Sequence, residues 1–172
     1  DKVMRLYSKH PEFVRNASFA TWKDVQKTLV KGDVAIEFVK CCSDGKAVSY
    51  AALLLQPGWE RPVIIRLSSE RDMDTLLAKG ARAYLDNERF YSMIWGQIEP
   101  YLTGVKRIYF SPYGVLSQLN IEVLQNGKGK PMNKAYDIYR VSSTADLYKG
   151  EATSYASATL FGGLNYDLDT DS

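Results

Sequence analysis

The chain has a single histidine, His10, and its two cysteines are neighbours, Cys41 and Cys42. That scarcity leaves poor material for a Cys/His nucleophile pair or a metal site. A nucleophilic cysteine needs a base within hydrogen-bond reach. Only His10 is on offer, and it sits in the polar stretch Ser8-Lys9-His10-Pro11, ahead of the first capped helix. A metal site needs three or four converging Cys, His or carboxylate ligands, which one histidine and an adjacent cysteine pair do not supply. Adjacent cysteines rarely bond to each other, because the geometry strains the backbone. A disulfide framework is therefore not expected, and the reading is a reducing, cytoplasmic compartment. The sequence also lacks an apolar run long enough to span a bilayer, and no signal peptide is visible. It has no Gly-x-Gly-x-x-Gly, P-loop or Gly-x-Ser-x-Gly pattern. Charge of one sign is missing too. The 22 basic and 20 acidic residues leave a net charge of +2, which argues for neither nucleic acid nor a membrane surface as partner. No cofactor is expected.

What is present suits one domain with a sizeable core: 172 residues, 45% hydrophobic and 24% charged. The chain starts at Asp1 and stops at Ser172, and we expect it to be a segment of a larger protein, trimmed or processed. Residues 1–20 read as a tail or as the end of a preceding helix. Thr21 with Asp24 forms a capping-box pattern, and Trp22, Val25, Leu29 and Val30 share a helical face that closes at Lys31-Gly32. Residues 33–39 alternate as a strand, and an Asp44-Gly45 turn signal precedes a second strand over 50–56. A third strand covers 62–67. Ser69 with Asp72 opens a short helix bearing Met73, Leu76 and Leu77, which Gly80 stops.

A longer helix is expected from about Asp86. Phe90, Ile94 and Ile98 form its stripe, Met93, Trp95 and Tyr101 widen it, and Pro100 lies near its end. Residues 105–110 read as a strand, followed by the turn Ser111-Pro112-Tyr113-Gly114. A short helix over 119–125, an exposed basic loop over 127–134 and a strand over 136–142 come next. Ser143 or Thr144 caps a short helix through Leu147-Tyr148, and a last strand covers 158–164. Strands separated by helices after an opening hairpin predict an α/β fold. Its sheet is mixed, mostly parallel, and flanked by helices in three layers.

Few side chains suggest chemistry. Ser111 follows a strand, as a nucleophilic serine can, but Pro112 beside it argues for a plain turn. Lys128, Lys130 and Lys134 read as a solvated loop, with no interleaved aromatics to favour nucleic acid. Glu37 reads as a paired or edge-facing carboxylate. Asp167, Asp169 and Asp171 form either a solvated tail or part of an acidic loop beyond a central strand, where α/β sheets place their ligand sites. No residue is assigned a catalytic or metal-ligating role.

Several segments together resemble one family. They are Thr21-Trp22-Lys23-Asp24-Val25-Gln26, Ala35-Ile36-Glu37-Phe38, Tyr50-Ala51-Ala52-Leu53, Ile94-Trp95, the run from Val105 through Ser111-Pro112-Tyr113-Gly114, Ile121-Glu122-Val123-Leu124, Ser142-Ser143-Thr144 and Leu160-Phe161-Gly162-Gly163-Leu164. In this order and spacing they resemble the front part of a CHAT domain, a caspase-like, separase-related family often fused to TPR repeats. The strand, Ser-Pro-aromatic-Gly turn and Ile-Glu-x-Leu segment are the most specific part.

The resemblance implies that residues 21–172 are the N-terminal portion of a CHAT domain, up to the first strand of the caspase-like half. It implies that 1–20 end a TPR-like region. It places a catalytic His-Gly and a Ser-Ala-Cys segment beyond residue 172, so neither His10, Cys41 nor Cys42 corresponds to the dyad. The implied function is scaffold and one wall of the substrate cleft in a cysteine protease, with Asn165, Tyr166, Asp167 and Asp169 bordering that cleft. The implied partners are the remaining C-terminal protease segment, the TPR region and a protein substrate. The alternative is a non-enzymatic interaction module from a degenerate member of the family.

Overall fold

Thr21 and Asp24 start the first helix by satisfying each other's backbone. The Asp24 amide donates to the Thr21 hydroxyl at 3.3 Å, and the Thr21 amide donates to the Asp24 carboxylate at 3.1 Å. The computed structural model describes residues 20–41, 49–78 and 87–148. Helix α1 runs over Trp22–Thr28, ending before the expected Lys31-Gly32 stop. Leu29 is already extended, and the Val30 amide donates to the Asp33 carboxylate at 3.1 Å. Gly32, at φ 95°, then turns the chain into the sheet. Val25 and Leu29 are buried as expected, but Val30 falls outside the helix and is 58% exposed.

The same cap makes a testable pH effect. The Thr21 hydroxyl bond, then Lys27 at 3.1 Å, lowers the Asp24 carboxyl from 3.8 to about 2. A carboxyl depressed in the folded state contributes stability above its unfolded pKa, and that contribution is lost as pH falls through the folded value. The affected window runs from about 4 down to about 2. Carbon-detected NMR of the Asp24 carboxyl is expected to show a midpoint near 2. In Thr21→Ala the midpoint is expected to rise toward 3.8; identical midpoints would refute the cap as the cause.

Five strands form one sheet: β1 (Asp33–Cys41), β2 (Ser49–Leu55), β3 (Val63–Ser69), β4 (Arg107–Ser111) and β5 (Asp137–Arg140). Their order is β3-β2-β1-β4-β5. The β1–β2 and β2–β3 pairs are antiparallel, while β1–β4 and β4–β5 are parallel. The sheet is mixed, as expected, but among the described strands the two kinds of pairing are equally represented rather than mostly parallel. The 158–164 strand, the Asp44-Gly45 turn, the Gly80 stop and residues 1–19 lie outside the described residues.

Period-2 alternation sorts the faces. Val34, Ile36 and Phe38 of β1 line up with Ala52 and Leu54 of β2, and with Ile108 and Phe110 of β4, to build the main core. Helix α2 (Glu70–Leu77) is capped by Ser69, whose hydroxyl meets the Asp72 carboxylate at 2.6 Å. Its Met73 reaches this core.

The long helix expected from Asp86 is three pieces. These are α3 (Asn87–Tyr91), a π-helical turn over Ser92–Gly96 and a 3₁₀ turn over Glu99–Leu102 that contains Pro100. Met93, Ile94 and Trp95, three in a row within the π turn, are all buried. The Trp95 ring meets Phe38 and Phe110 edge-on, with centroids 6.1 and 6.0 Å away.

The second face of the sheet is covered by α1 and by a 3₁₀ turn over Thr144–Leu147. Val25 and Leu29 pack there on Ala35 and Leu55, with Tyr109 and Leu147 at the margin. Helical segments thus lie on both faces of an α/β sheet.

Candidate functional site at the C-terminal rim of the parallel strands

Strands β1, β4 and β5 run in one direction and end on one rim. Loops beyond strand carboxyl ends are where α/β sheets place ligands. Three non-local clamps hold this rim.

The first clamp sits where Ser111-Pro112-Tyr113-Gly114 turns out of β4 into a 3₁₀ turn over Gly114–Gln118. The fully buried Tyr50 reaches up from β2, and its hydroxyl accepts from the Val115 amide at 3.3 Å. Lys40, near the end of β1, pairs with Glu70 and lies over the Tyr50 ring at 5.5 Å. The Glu70 hydrogen bond, more than any other contact, raises the Lys40 pKa.

The second clamp explains the Ile121-Glu122-Val123-Leu124 segment. The expected helix over 119–125 is only a 3₁₀ turn at Ile121–Val123, because its residues are held from outside. Ile121 and Leu124 are buried, and the Trp95 indole donates to the Ile121 carbonyl at 2.8 Å. Glu122 receives both Nε and Nη2 of Arg140 at 2.8 Å, a bidentate pair. Arg140 also donates to the Ser117 carbonyl at 3.1 Å and to the Leu119 carbonyl, with its guanidinium over Phe110 at 5.2 Å.

The third clamp ties the chain after β5 to β1 and β4. The Ser111 hydroxyl donates to the Ser142 carbonyl at 2.9 Å. Thr144 donates its amide and its hydroxyl to one carboxylate oxygen of Glu37, at 2.9 and 2.6 Å. Ser143, as expected, caps the turn, facing Asp146 in a capping box.

Between these loops lies a hollow of about 410 Å³ lined by Pro112, Ser117, Arg140, Val141 and Ser142. A second, polar hollow of about 500 Å³ lies among Asn87, Tyr91, Glu99 and Asn126. There, burial first and the Glu99 carboxylate second push the Tyr91 hydroxyl far above its ordinary value. At neutral pH it is a donor and not a base.

The residues singled out from the sequence fall as follows. Ser111 and Glu37 act as hydrogen-bonding partners in the third clamp; Glu37, expected to be paired or edge-facing, accepts two hydrogen bonds from Thr144. Cys41 ends β1, exposed, with its thiol 3.5 Å from the Ser49 carbonyl. The basic loop is shorter than 127–134. Lys128 and Lys130 donate their amides to the Asn126 side chain at 3.0 Å in a tight turn, while Met132 is buried at the start of α4 (Met132–Ala135), which also carries Lys134. His10, Cys42, Asn165, Tyr166, Asp167, Asp169 and Asp171 lie outside the described residues.

Sequence reasoning missed Tyr50 and Arg140 as the side chains that hold the rim. The Ser142-Ser143-Thr144 run was the one local signal of the third clamp. Among the described residues no group of three or more His, Cys, Asp or Glu converges to hold a metal ion. No described helix is long and apolar enough to cross a membrane. No protein-family model matches the chain, and no curated protein matches it either. The described residues define an α/β fold with a mixed sheet of five strands.

Proposed function

We propose that this chain is the N-terminal segment of a CHAT-family, caspase-like cysteine protease, supplying scaffold and one wall of its substrate cleft. The observation that carries this reading is the rim. Three parallel strands end together there, their loops are clamped at three points, and the side chains holding the loops are engaged with one another. Such an edge is preorganised to border a site whose reacting groups arrive from elsewhere. It agrees with the family resemblance, which puts the His and Cys beyond residue 172.

In that mechanism a downstream thiolate attacks the peptide carbonyl, a histidine carries the proton to the leaving amine, and backbone N–H groups hold the oxyanion. In this reading Pro112, Ser117 and Val141 line the wall, and the resemblance assigns Asn165, Tyr166, Asp167 and Asp169 to the border of the substrate cleft. The partners in this reading are the C-terminal protease segment, a TPR region and a protein substrate, in the cytoplasm.

A thiol-reactive peptide probe applied to the complete protein is expected to label one cysteine downstream of Ser172, leaving Cys41 and Cys42 unlabelled. Labelling confined to Cys41 or Cys42 would overturn the proposal. A complete protein with no His-Gly and Ser-x-Cys segments, inert to the probe, would instead fit the non-enzymatic interaction module.

A further inference from the structure

A hollow of about 250 Å³ opens on the second face of the sheet, between α1 and the 3₁₀ turn at Thr144–Leu147. Trp22, Val25, Leu53 and Leu55 give it apolar walls, and Glu37 and Thr144 supply polar groups. Pockets for whole drug-sized ligands run ~300–1,000 Å³, so this one suits a single long side chain.

The Glu37 carboxylate is only half used. Both Thr144 donors go to Oε2, and no described residue donates to Oε1. Glu37 lines the hollow together with apolar residues, and a carboxylate in such a lining is complementary to a cation at the tip of an apolar stem. The cation gains a charge-assisted hydrogen bond, and the stem covers hydrocarbon. An anion meets repulsion there, and a neutral chain leaves the oxygen without a partner.

Of the two basic side chains, the geometry favours the ammonium. A guanidinium presents a planar fork that is best met by two open acceptors, whereas lysine is a point charge served by one. Lys23, with its Nζ 5.5 Å over the Trp22 ring, is exposed, and solvent and salt screen its charge. We propose that this hollow is a docking site for a lysine side chain of a partner protein. The occupant is set by charge complementarity with Glu37 and by the apolar length leading to it. The hollow shares Glu37 and Thr144 with the third clamp, but it needs no downstream catalytic residue, so the probe titration below and the cysteine labelling above report on the two proposals separately.

The test is a titration of the isotope-labelled 172-residue chain with Nα-acetyl-lysine methylamide, read by amide and indole NMR shifts. Saturable shifts are expected at Thr144, Ala145 and the Trp22 indole. Nα-acetyl-norleucine methylamide, which has the stem without the charge, is expected to bind about tenfold more weakly, as is the lysine probe to Glu37→Gln. The glutamine keeps a carbonyl oxygen for Thr144, so the turn survives while the charge goes. Ala145→Phe, which adds bulk to the lining without removing either partner of the Glu37–Thr144 bonds, is expected to abolish the shifts and carries the test if Glu37→Gln does not fold. Equal binding of the norleucine probe, undiminished binding to Glu37→Gln, or an arginine probe binding more tightly than lysine would overturn the proposal. So would the absence of saturable shifts, the result expected where another part of the chain covers the hollow.

Discussion

Gly114→Ala is expected to lower the unfolding free energy by about 2–5 kcal/mol. Two costs add. At φ +59° the position is left-handed, which costs an L-residue ~1–2 kcal/mol. A Cβ built there also lies 2.8 Å from the Tyr50 hydroxyl and 3.2 Å from Lys40 Cε. Lys40 can swing aside, but Tyr50 is fully buried and fixed, and overpacking such a side chain costs roughly 1–3 kcal/mol.

The clash makes a second, sharper expectation. Tyr50→Phe alone loses the hydrogen bond from Val115, worth about 1 kcal/mol. In the Gly114→Ala background the same change removes the oxygen that clashes, so it should cost nothing or stabilise. A double-mutant cycle by urea unfolding measures this coupling. Strict additivity would show that the backbone strain, and not the contact with Tyr50, is what glycine relieves.

Trp95→Ala is expected to cost about 3–5 kcal/mol, the range for emptying a buried aromatic site. Trp95 is fully buried, touches Phe38 and Phe110 edge-on, and donates to the Ile121 carbonyl. Its loss opens a cavity under the sheet and frees the Ile121 segment that carries Glu122. Trp22→Ala is the control. Trp22 is 37% exposed, so its removal should move the urea midpoint much less. Equal shifts for the two tryptophans would mean that the core is not centred on Trp95.

The local elements were the legible part. Both Ser/Thr-x-x-Asp caps, at Thr21 and Ser69, start helices where the pattern put them, and the alternation in β1 separates the core side from the other. Departures occur where a contact from a distant residue outweighs the local period. The stripe from Phe90 to Ile98 reads as one α-helix, yet a π turn interrupts it where Met93, Ile94 and Trp95 are buried together. Residues 119–125 read as a helix, yet Trp95 and Arg140 hold them as a 3₁₀ turn. Lys134 reads as part of a basic loop, yet burial of Met132 places it in a helix. The rim was legible only in its turn residues, Ser111-Pro112 and Ser142-Ser143-Thr144.

By itself, the sequence determined where the helices capped by Thr21 and Ser69 begin and which positions of β1 face the core. Those properties depend on neighbours within about four residues or on a two-residue period, so they are written along the chain. Only the tertiary structure decided that β4 and not β3 lies beside β1. It alone decided that Glu37 meets Thr144, 107 residues away, that Arg140 grips Glu122, and that Tyr50 stands under Gly114. No residue type announces such a partner. The pairings exist because burying both faces of one twisted sheet brings those positions together, and a polar group brought inside must then find a bond.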